Sequence, residues 1–336
     1  MKDKDLYYVD LFSGSGGLTL GFEEAGFKNV FSIDSESSFC DTYEKNFPSH
    51  KLIRGNVESL SKGDILELVR GKNVDVVVGG PPCQGFSIAG NIGRRFLEDP
   101  RNHLFKEFVR YVKIIKPKYF VMENVARLYT HNRGSTRDEI LNTFISIGYE
   151  NVECKILNSA DYGVPQTRKR VIFIGSRDGK NILFPTPSYT EYRTVKDAIG
   201  DLPVINSGED SKVPNHIAMN HSVAMLDKMR HVKDGGNRND IPAEIRPQTG
   251  DARKYIRYNS SKPSVTVTGD MRKVFHYDNN RALTVRELAR IQTYPDSFVF
   301  LGTSSSQQQQ VGNSVPPLMA EAIAKQIKLQ LVGRNK

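Results

Sequence analysis

Tyr7-Tyr-Val-Asp10-Leu-Phe-Ser-Gly14-Ser-Gly16-Gly17 is the stretch on which the fold turns. Residues 7–12 form a near-continuous run of β-favouring side chains, and the glycines then break it ahead of a helical stretch. A strand buried on both faces reads as a continuous apolar run, not an alternating one. Similar runs recur at residues 30–34, 74–78, 119–122 and 171–174. Helical stretches lie between them. In residues 102–115, Phe105, Phe108, Val109 and Val112 repeat at spacings of three and four. This alternation predicts an α/β fold with an open, doubly wound, mostly parallel sheet.

The chain has 336 residues, 38% of them hydrophobic and 25% charged, enough for a sizeable core and too ordered in texture for wholesale disorder. A formal charge of +9 favours a polyanionic partner. Cys40, Cys83 and Cys154 are too few and too scattered for a disulfide framework or a four-cysteine zinc site, and no metal is expected. The first ten residues contain no signal-like apolar run, so a cytoplasmic protein with reduced thiols and no membrane segment is expected.

After Pro185 the texture changes to Gly, Pro, Asn, Ser and His clusters without long periodicity. Residues 228–273 carry eleven Lys or Arg against five Asp or Glu, so most of the chain's excess charge sits there. Helical texture returns at residues 284–292 and 318–331, whereas the run at 304–310 is too short for a low-complexity domain. The expected division is residues 1–188 as a cofactor-binding sheet domain, 189–275 as a basic insert, and 276–336 as a return completing the sheet domain.

Glycines at a strand-to-helix turn admit a ligand to backbone N–H groups at the helix start. Thr19 stands where the dinucleotide pattern needs its third glycine, so a pyrophosphate site is not expected. Asp34, twenty residues beyond Gly14, ends the second strand where an acid can hold ribose hydroxyls. The combination suits a nucleoside-type cofactor such as S-adenosyl-L-methionine, with a plain packing turn as the alternative. Gly79-Gly-Pro-Pro-Cys83-Gln-Gly-Phe-Ser87 presents a thiol beyond another strand on a stiff diproline support. Cys40 and Cys154 read instead as small buried hydrophobes. Glu123, after the strand at 119–122, faces the same sheet edge; an unpaired, partly buried carboxyl there would donate a proton near neutrality. Residues 161–170 add Arg168 and Arg170.

Seven segments now align in order: DLFSGSGG, GGPPCQGFS, DPRNHLF, MENV, DYGVPQTRKR, RALTVRELARIQTYPDSF and QVGNSVPP. Together they span Asp10 to Pro317, and the chain resembles the DNA (cytosine-5)-methyltransferases of bacterial restriction–modification systems. The resemblance implies a sheet of the S-adenosylmethionine-dependent methyltransferase type with a smaller, irregular target-recognition domain at the basic insert. It implies Cys83 as nucleophile, Glu123 on the target cytosine's N3 and amino group, and Arg170 with Arg168 on its O2. Gln84 and Ser87 would belong to a loop closing over DNA. Cofactor positions would be Phe12, Ser13, Gly14, Ser15, Gly16, Gly17, Asp34, Ser35, Asn56, Val57, Gly80, Pro82, Leu104, Asn313 and Ser314.

Two of these depart from the family pattern. Ser35 stands where an adenine-stacking Trp is common, and Asn56 replaces an acid. Arg101, Asn237, Arg238, Arg253, Lys254, Arg257, Thr266, Thr268 and Arg272 would meet DNA. The implied activity is methyl transfer to carbon 5 of a flipped cytosine within a short double-stranded sequence. The implied setting is a nucleoid-associated bacterial monomer paired with a cognate restriction endonuclease. The alternatives are a tRNA cytosine-5 methyltransferase and an inactive DNA-binding homologue. The Cys-Phe-Thr tripeptide typical of the tRNA class is absent, and the intact set Cys83, Glu123 and Arg170 argues against inactivity.

Overall fold

A computed structural model describes residues 5–82, 102–189, 191–249, 251 and 254–333. The chain divides into two compact units. Unit one holds residues 1–158, 169–186 and 320–336, and unit two holds 159–168 and 187–319. The division departs from the expected boundaries at two places. Residues 159–168 cluster with the insert, and the return to the sheet unit starts at Ala320, well beyond residue 276. The segment from 276 to 319 carries its own buried side chains, described below, which ally it with unit two.

Unit one is a seven-stranded sheet. Its strands are β1 (Tyr7–Leu11), β2 (Lys28–Asp34), β3 (Leu52–Arg54), β4 (Val74–Gly79), β5 (Tyr119–Val125), β6 (Asn151–Asn158) and β7 (Lys169–Ser176). The spatial order is β3-β2-β1-β4-β5-β7-β6. The first five in that order are parallel, whereas β7 runs antiparallel to both neighbours. The five apolar runs legible in the sequence are the five inner strands. The two edges, β3 and β6, escape that reading because an edge strand need not be apolar: β3 has three residues, and β6 carries Glu153 and Lys155.

Helices α1 (Gly17–Glu24), α2 (Ser37–Asn46), α3 (Lys62–Leu68), α4 (His103–Ile115) and α5 (Ser135–Ser146) follow in unit one. The three-and-four spacing of α4 buries Phe105, Phe108 and Val112 completely. Phe120 of β5 stacks on Phe144 of α5 at 3.9 Å, while Phe105 and Phe108 meet Phe144 edge-on. Reversal of strand order between β1 and β4 opens a crevice at their carboxyl ends, the usual ligand position of such sheets. The glycine turn follows β1, and the diproline segment follows β4.

Unit two has less regular structure. It contains α6 (Val195–Ile199), α7 (Val223–His231), α8 (Val285–Ile291), α9 (Ser304–Asn313) and a two-strand pair, β8 (Ile256–Arg257) with β9 (Val274–Phe275). Helix α10 (Pro317–Val332) runs on into unit one's last segment. The serine–glutamine run at 304–310 is the body of α9, capped by Thr303. Buried guanidinium groups do much of the joining in this unit. Arg286 donates to the carbonyls of Pro214, Pro295 and Phe298, and Arg281 forms a two-bonded pair with Glu287. The latter two side chains are each 1% exposed.

Candidate active site

At the carboxyl end of β1 the chain leaves Leu11 through Phe12, whose φ is +59°, and enters α1 through Gly16 at +100°. Gly16 is required on two grounds. Its left-handed backbone disfavours a side chain, and a Cβ there would collide with the Phe47 ring. Two carboxylates hold the turn. Asp34 accepts from the Gly14 N–H at 2.8 Å and from the Glu36 N–H at 2.9 Å. Asp10, fully buried, accepts from the Thr19 hydroxyl at 2.6 Å, fastening the first turn of α1. Burial pushes the Asp10 carboxyl up to about 7, opposed by the Thr19 bond and reinforced by nearby Asp34. Burial likewise raises Asp34.

The hydroxyls of Ser13 and Ser15 are buried and have no hydrogen-bond partner among the described residues. Buried polar groups in native proteins are almost always satisfied, so these two indicate polar atoms supplied from elsewhere. Helix α1 begins beside them without a side-chain cap. Asp34 keeps free lone pairs, since its two backbone bonds use only part of a carboxylate's capacity. These features fit a nucleoside-bearing cofactor.

The other expected cofactor positions are placed unequally. Ser35 is exposed, so the position where the family often has a stacking Trp carries a small polar side chain. Asn56 is exposed, and its side-chain oxygen caps a helical turn by accepting from the Glu58 N–H. Val57 is buried, and its carbonyl accepts from Arg110 and Tyr111. Phe12 and Leu104 are partly buried against the sheet core, while Pro82 is exposed. Unit two holds Asn313, exposed at the end of α9, and Ser314, whose hydroxyl bonds that of Tyr294.

Glu123 stands near the end of β5. It does not carry the unpaired carboxyl expected from the sequence: Arg170 of β7 pairs with it, Nε to Oε1, at 2.8 Å. The antiparallel register sets Glu123 opposite Ile172, so Arg170 is its diagonal neighbour on the same face. Both side chains are largely sheltered, at 12% and 15% exposure. Gly80 permits this position, because a Cβ there would lie 3.1 Å from the Glu123 carboxylate. Asn124, not singled out from the sequence, donates to the Pro81 carbonyl at 3.0 Å and ties the diproline segment to β5. Its signal was its place in MENV, beside the acid. Cys83, Gln84, Ser87, Arg101 and Arg253 lie outside the described residues. Cys40 is buried and Cys154 only partly so, and burial pushes both thiols up to about 11, as suits unreactive cysteines.

Two expected contact residues are corrected by their burial. Arg168 is 1% exposed and belongs to unit two, where it donates to the carbonyls of Val267 and Gly312. It braces the backbone instead of offering a guanidinium to a ligand. Gln166 and Gln292, both missed in the sequence, extend the brace. Gln166 accepts from the Val267 N–H and donates to Gln292, which donates to the Val311 carbonyl. Thr266 bonds the Thr167 carbonyl in the same region, and Thr268 lies beside Met271.

Arg257 is the second correction. It is 6% exposed and donates to the carbonyls of Met229, Val232, His276 and Asn279 and to the Asn280 side chain, so it grips protein and not phosphate. Asn237 is exposed and caps a short turn that includes Arg238. Lys254 and Arg272 both pair with Asp270.

A family model of C-5 cytosine-specific DNA methylase matches residues 6–329. Over 322 residues the chain is 62% identical to the type II methyltransferase M1.HphI of Haemophilus parahaemolyticus, covering 96% of this chain and 86% of that one. It is 37% identical to the type II methyltransferase M.DdeI of Desulfomicrobium norvegicum, covering 95% and 88%. A prophage-encoded protein of E. coli described as a DNA modification methyltransferase superposes with a TM-score of 0.79 at 26% identity, covering 98% of this chain and all of that one. With the sheet, the glycine turn and the Glu123–Arg170 pair beside the diproline segment, these likenesses place the chain in the C-5 cytosine-specific DNA methylase family, as a DNA cytosine-5-methyltransferase.

Proposed function

We propose that the chain transfers a methyl group from S-adenosyl-L-methionine to carbon 5 of a cytosine within a short, specific double-stranded DNA sequence, by base flipping and covalent addition of Cys83. The observation that carries this reading is the sheltered Glu123–Arg170 pair at the carboxyl end of β5, beside the β4 segment that leads to Cys83. A planar acid–guanidinium pair matches one edge of cytosine, with Glu123 toward N3 and the amino group and Arg170 toward O2.

Carbon 5 of cytosine is a weak nucleophile, so the Cys83 thiolate first forms a bond to carbon 6. Electron density moves toward carbon 5, and Glu123 stabilises the charge developing at N3. The bound cofactor supplies an electrophilic methyl group on a sulfonium. After carbon 5 takes that methyl, loss of its proton to a base lets the Cys83–carbon bond break and frees the thiolate. Carbon 6 is unreachable in a stacked duplex, which is why flipping is part of the reading. Asp34 would hold the cofactor ribose, with Ser13 and Ser15 contributing their buried hydroxyls. Unit two would grip and read the duplex as the target-recognition domain, through groups such as Asn237, Arg238, Thr266 and Thr268. The relatives' type II naming supports a role in protecting DNA alongside a cognate endonuclease.

A duplex carrying fluorine at carbon 5 of the target cytosine tests this directly. Fluorine cannot leave as a proton, so after methyl transfer the enzyme stays bonded to carbon 6. A denaturing gel is expected to show a cofactor-dependent protein–DNA band mapped to Cys83. The band should vanish in Cys83→Ala and persist in Cys40→Ala and Cys154→Ala. Turnover of the fluorinated duplex with no adduct would sink the mechanism.

A further inference from the structure

Unit two contains an open groove of about 480 Å³, lined in part by Lys254, Tyr255, Asp270, Arg272 and Lys273. It lies in the most basic part of the chain, yet its cations have internal partners. Arg272 addresses Asp270 with two nitrogens, Nε to Oδ1 at 2.9 Å and Nη2 to Oδ2 at 3.3 Å. Lys254 approaches the same side chain, Nζ to Oδ2 at 2.9 Å, and also donates to the Asp270 carbonyl at 2.6 Å. The Lys273 ammonium lies 5.0 Å from the centre of the Tyr255 ring. Arg257, the fourth cation nearby, is buried on carbonyls.

The Asp270 carboxylate therefore sits in the fork of a guanidinium with an ammonium on its second oxygen. Two oxygens of a phosphodiester have the same charge and bidentate geometry. The holding side chains are not sealed in: Arg272 is 59% exposed, Asp270 45% and Lys254 22%. Pairs so open to water are weak and easily exchanged. A duplex, by contrast, presents a dense row of phosphates and releases counterions on binding. The two cations pull the Asp270 carboxyl far below the usual carboxylate range, Arg272 foremost, so it stays charged at any working pH.

We propose that Asp270 is an internal stand-in for a DNA phosphate: it holds Lys254 and Arg272 in their gripping pose and yields them to a backbone phosphate when a duplex enters the groove. This rests on the reading above that unit two contacts DNA. The built-in anion competes with duplexes of every sequence alike. It lowers sequence-independent affinity and leaves base contacts to decide where the enzyme stays, a form of discrimination by built-in repulsion.

The test uses the full chain and a fluorescein-labelled 20-base-pair duplex of arbitrary sequence, with anisotropy titrations over a salt series. Asp270→Asn keeps the shape and removes the charge, and is expected to tighten binding about fivefold at low salt, with the gain shrinking as screening grows. Glu244→Gln removes an equal charge from an exposed position in the same region, and is expected to change affinity by less than about twofold. The pair Lys254→Gln and Arg272→Gln should lower the slope of log affinity against log salt by about 0.9 for each lost phosphate contact. Should Asp270→Asn fail to fold by circular dichroism, this double variant decides alone. Weaker or unchanged binding by a folded Asp270→Asn, an equal gain from Glu244→Gln, or an unchanged slope in the double variant would overturn the proposal while leaving DNA binding by unit two intact. Failure of the unsubstituted chain to bind any duplex would instead remove the reading beneath it.

Discussion

At the scale of single residues, the Glu123–Arg170 pair joins two side chains that the sequence placed in separate motifs, and the pairing itself comes only from the sheet register. Glu123 lies near the end of one strand and Arg170 near the start of another, 47 positions later in sequence. The antiparallel β5–β7 ladder makes them diagonal neighbours. Removing Arg170 would leave a sheltered carboxylate without its counter-charge and, on the function proposed above, the cytosine O2 without a donor. Arg170→Ala is expected to lower kcat for methyl transfer on the order of 10²-fold, the usual scale for losing one preorganised donor. Tritium incorporation into duplex DNA measures it, and cofactor affinity by calorimetry should stay near that of the parent. A variant with full activity would remove Arg170 from the reacting set.

At the scale of the element, the glycine turn is a short loop held by two acids, Asp10 buried and Asp34 partly buried. Its geometry comes from Asp34 on Gly14 and Asp10 on Thr19. Burial raises the folded Asp10 carboxyl to about 7, whereas an unfolded Asp titrates near 4. The native state thus keeps a proton that the unfolded chain has already lost. The stability tied to Asp10 is full below about pH 4 and is lost as pH rises toward 7, on the order of 1.4 kcal/mol per pH unit at most. Asp10→Asn cannot lose that proton. Urea unfolding at pH 5 and pH 8 should therefore show a smaller fall for the variant than for the parent; equal falls would mean that Asp10 is ionised throughout.

At the scale of the whole molecule, both units bury apolar side chains, and unit two adds buried guanidinium groups on backbone carbonyls. Unit one has a large apolar core around its central strands, including Val9, Phe31, Val77, Phe120 and Phe173. Unit two also buries apolar side chains, among them Leu288, Ile291, Phe298, Phe300 and Val311, and beside its cluster of Met229, Val232, Ile241 and Phe275, Arg257 binds α7, β8 and the 276–280 loop through carbonyls. Burial pulls the Arg257 guanidinium down from its ordinary value, but no carboxylate touches it in the described contacts. Arg257→Ala would strand several buried carbonyls. A loss of about 3–5 kcal/mol is expected, the scale for truncating a buried, fully bonded charge. Urea denaturation followed by circular dichroism would measure it. A loss under about 1 kcal/mol would return Arg257 to the surface role that its position in a basic run implies.

The inner strands, the strand-to-helix turn, the diproline segment and the acid near the end of β5 were legible in the sequence because each has a local cause. Apolar runs make buried strands, glycines permit left-handed turns, and prolines stiffen the segments they occupy. The membership of the family was legible from motif order. What the sequence could not state is which of two similar arginines pairs with Glu123 and which is buried on backbone carbonyls. Arg168 and Arg170 are two positions apart in one basic run, and so on one face of a strand if the strand continued through both. The tertiary structure separates them: Arg170 is on β7, and Arg168 lies before it, buried on the carbonyls of Val267 and Gly312. Arg257 was likewise indistinguishable from its exposed basic neighbours, since a guanidinium satisfies carbonyls as readily as phosphates. Partners 99 and 144 positions away leave no periodicity for a one-dimensional reading to find. Only the folded chain decides where a long cationic side chain ends, because burial and partners, not residue type, set its role.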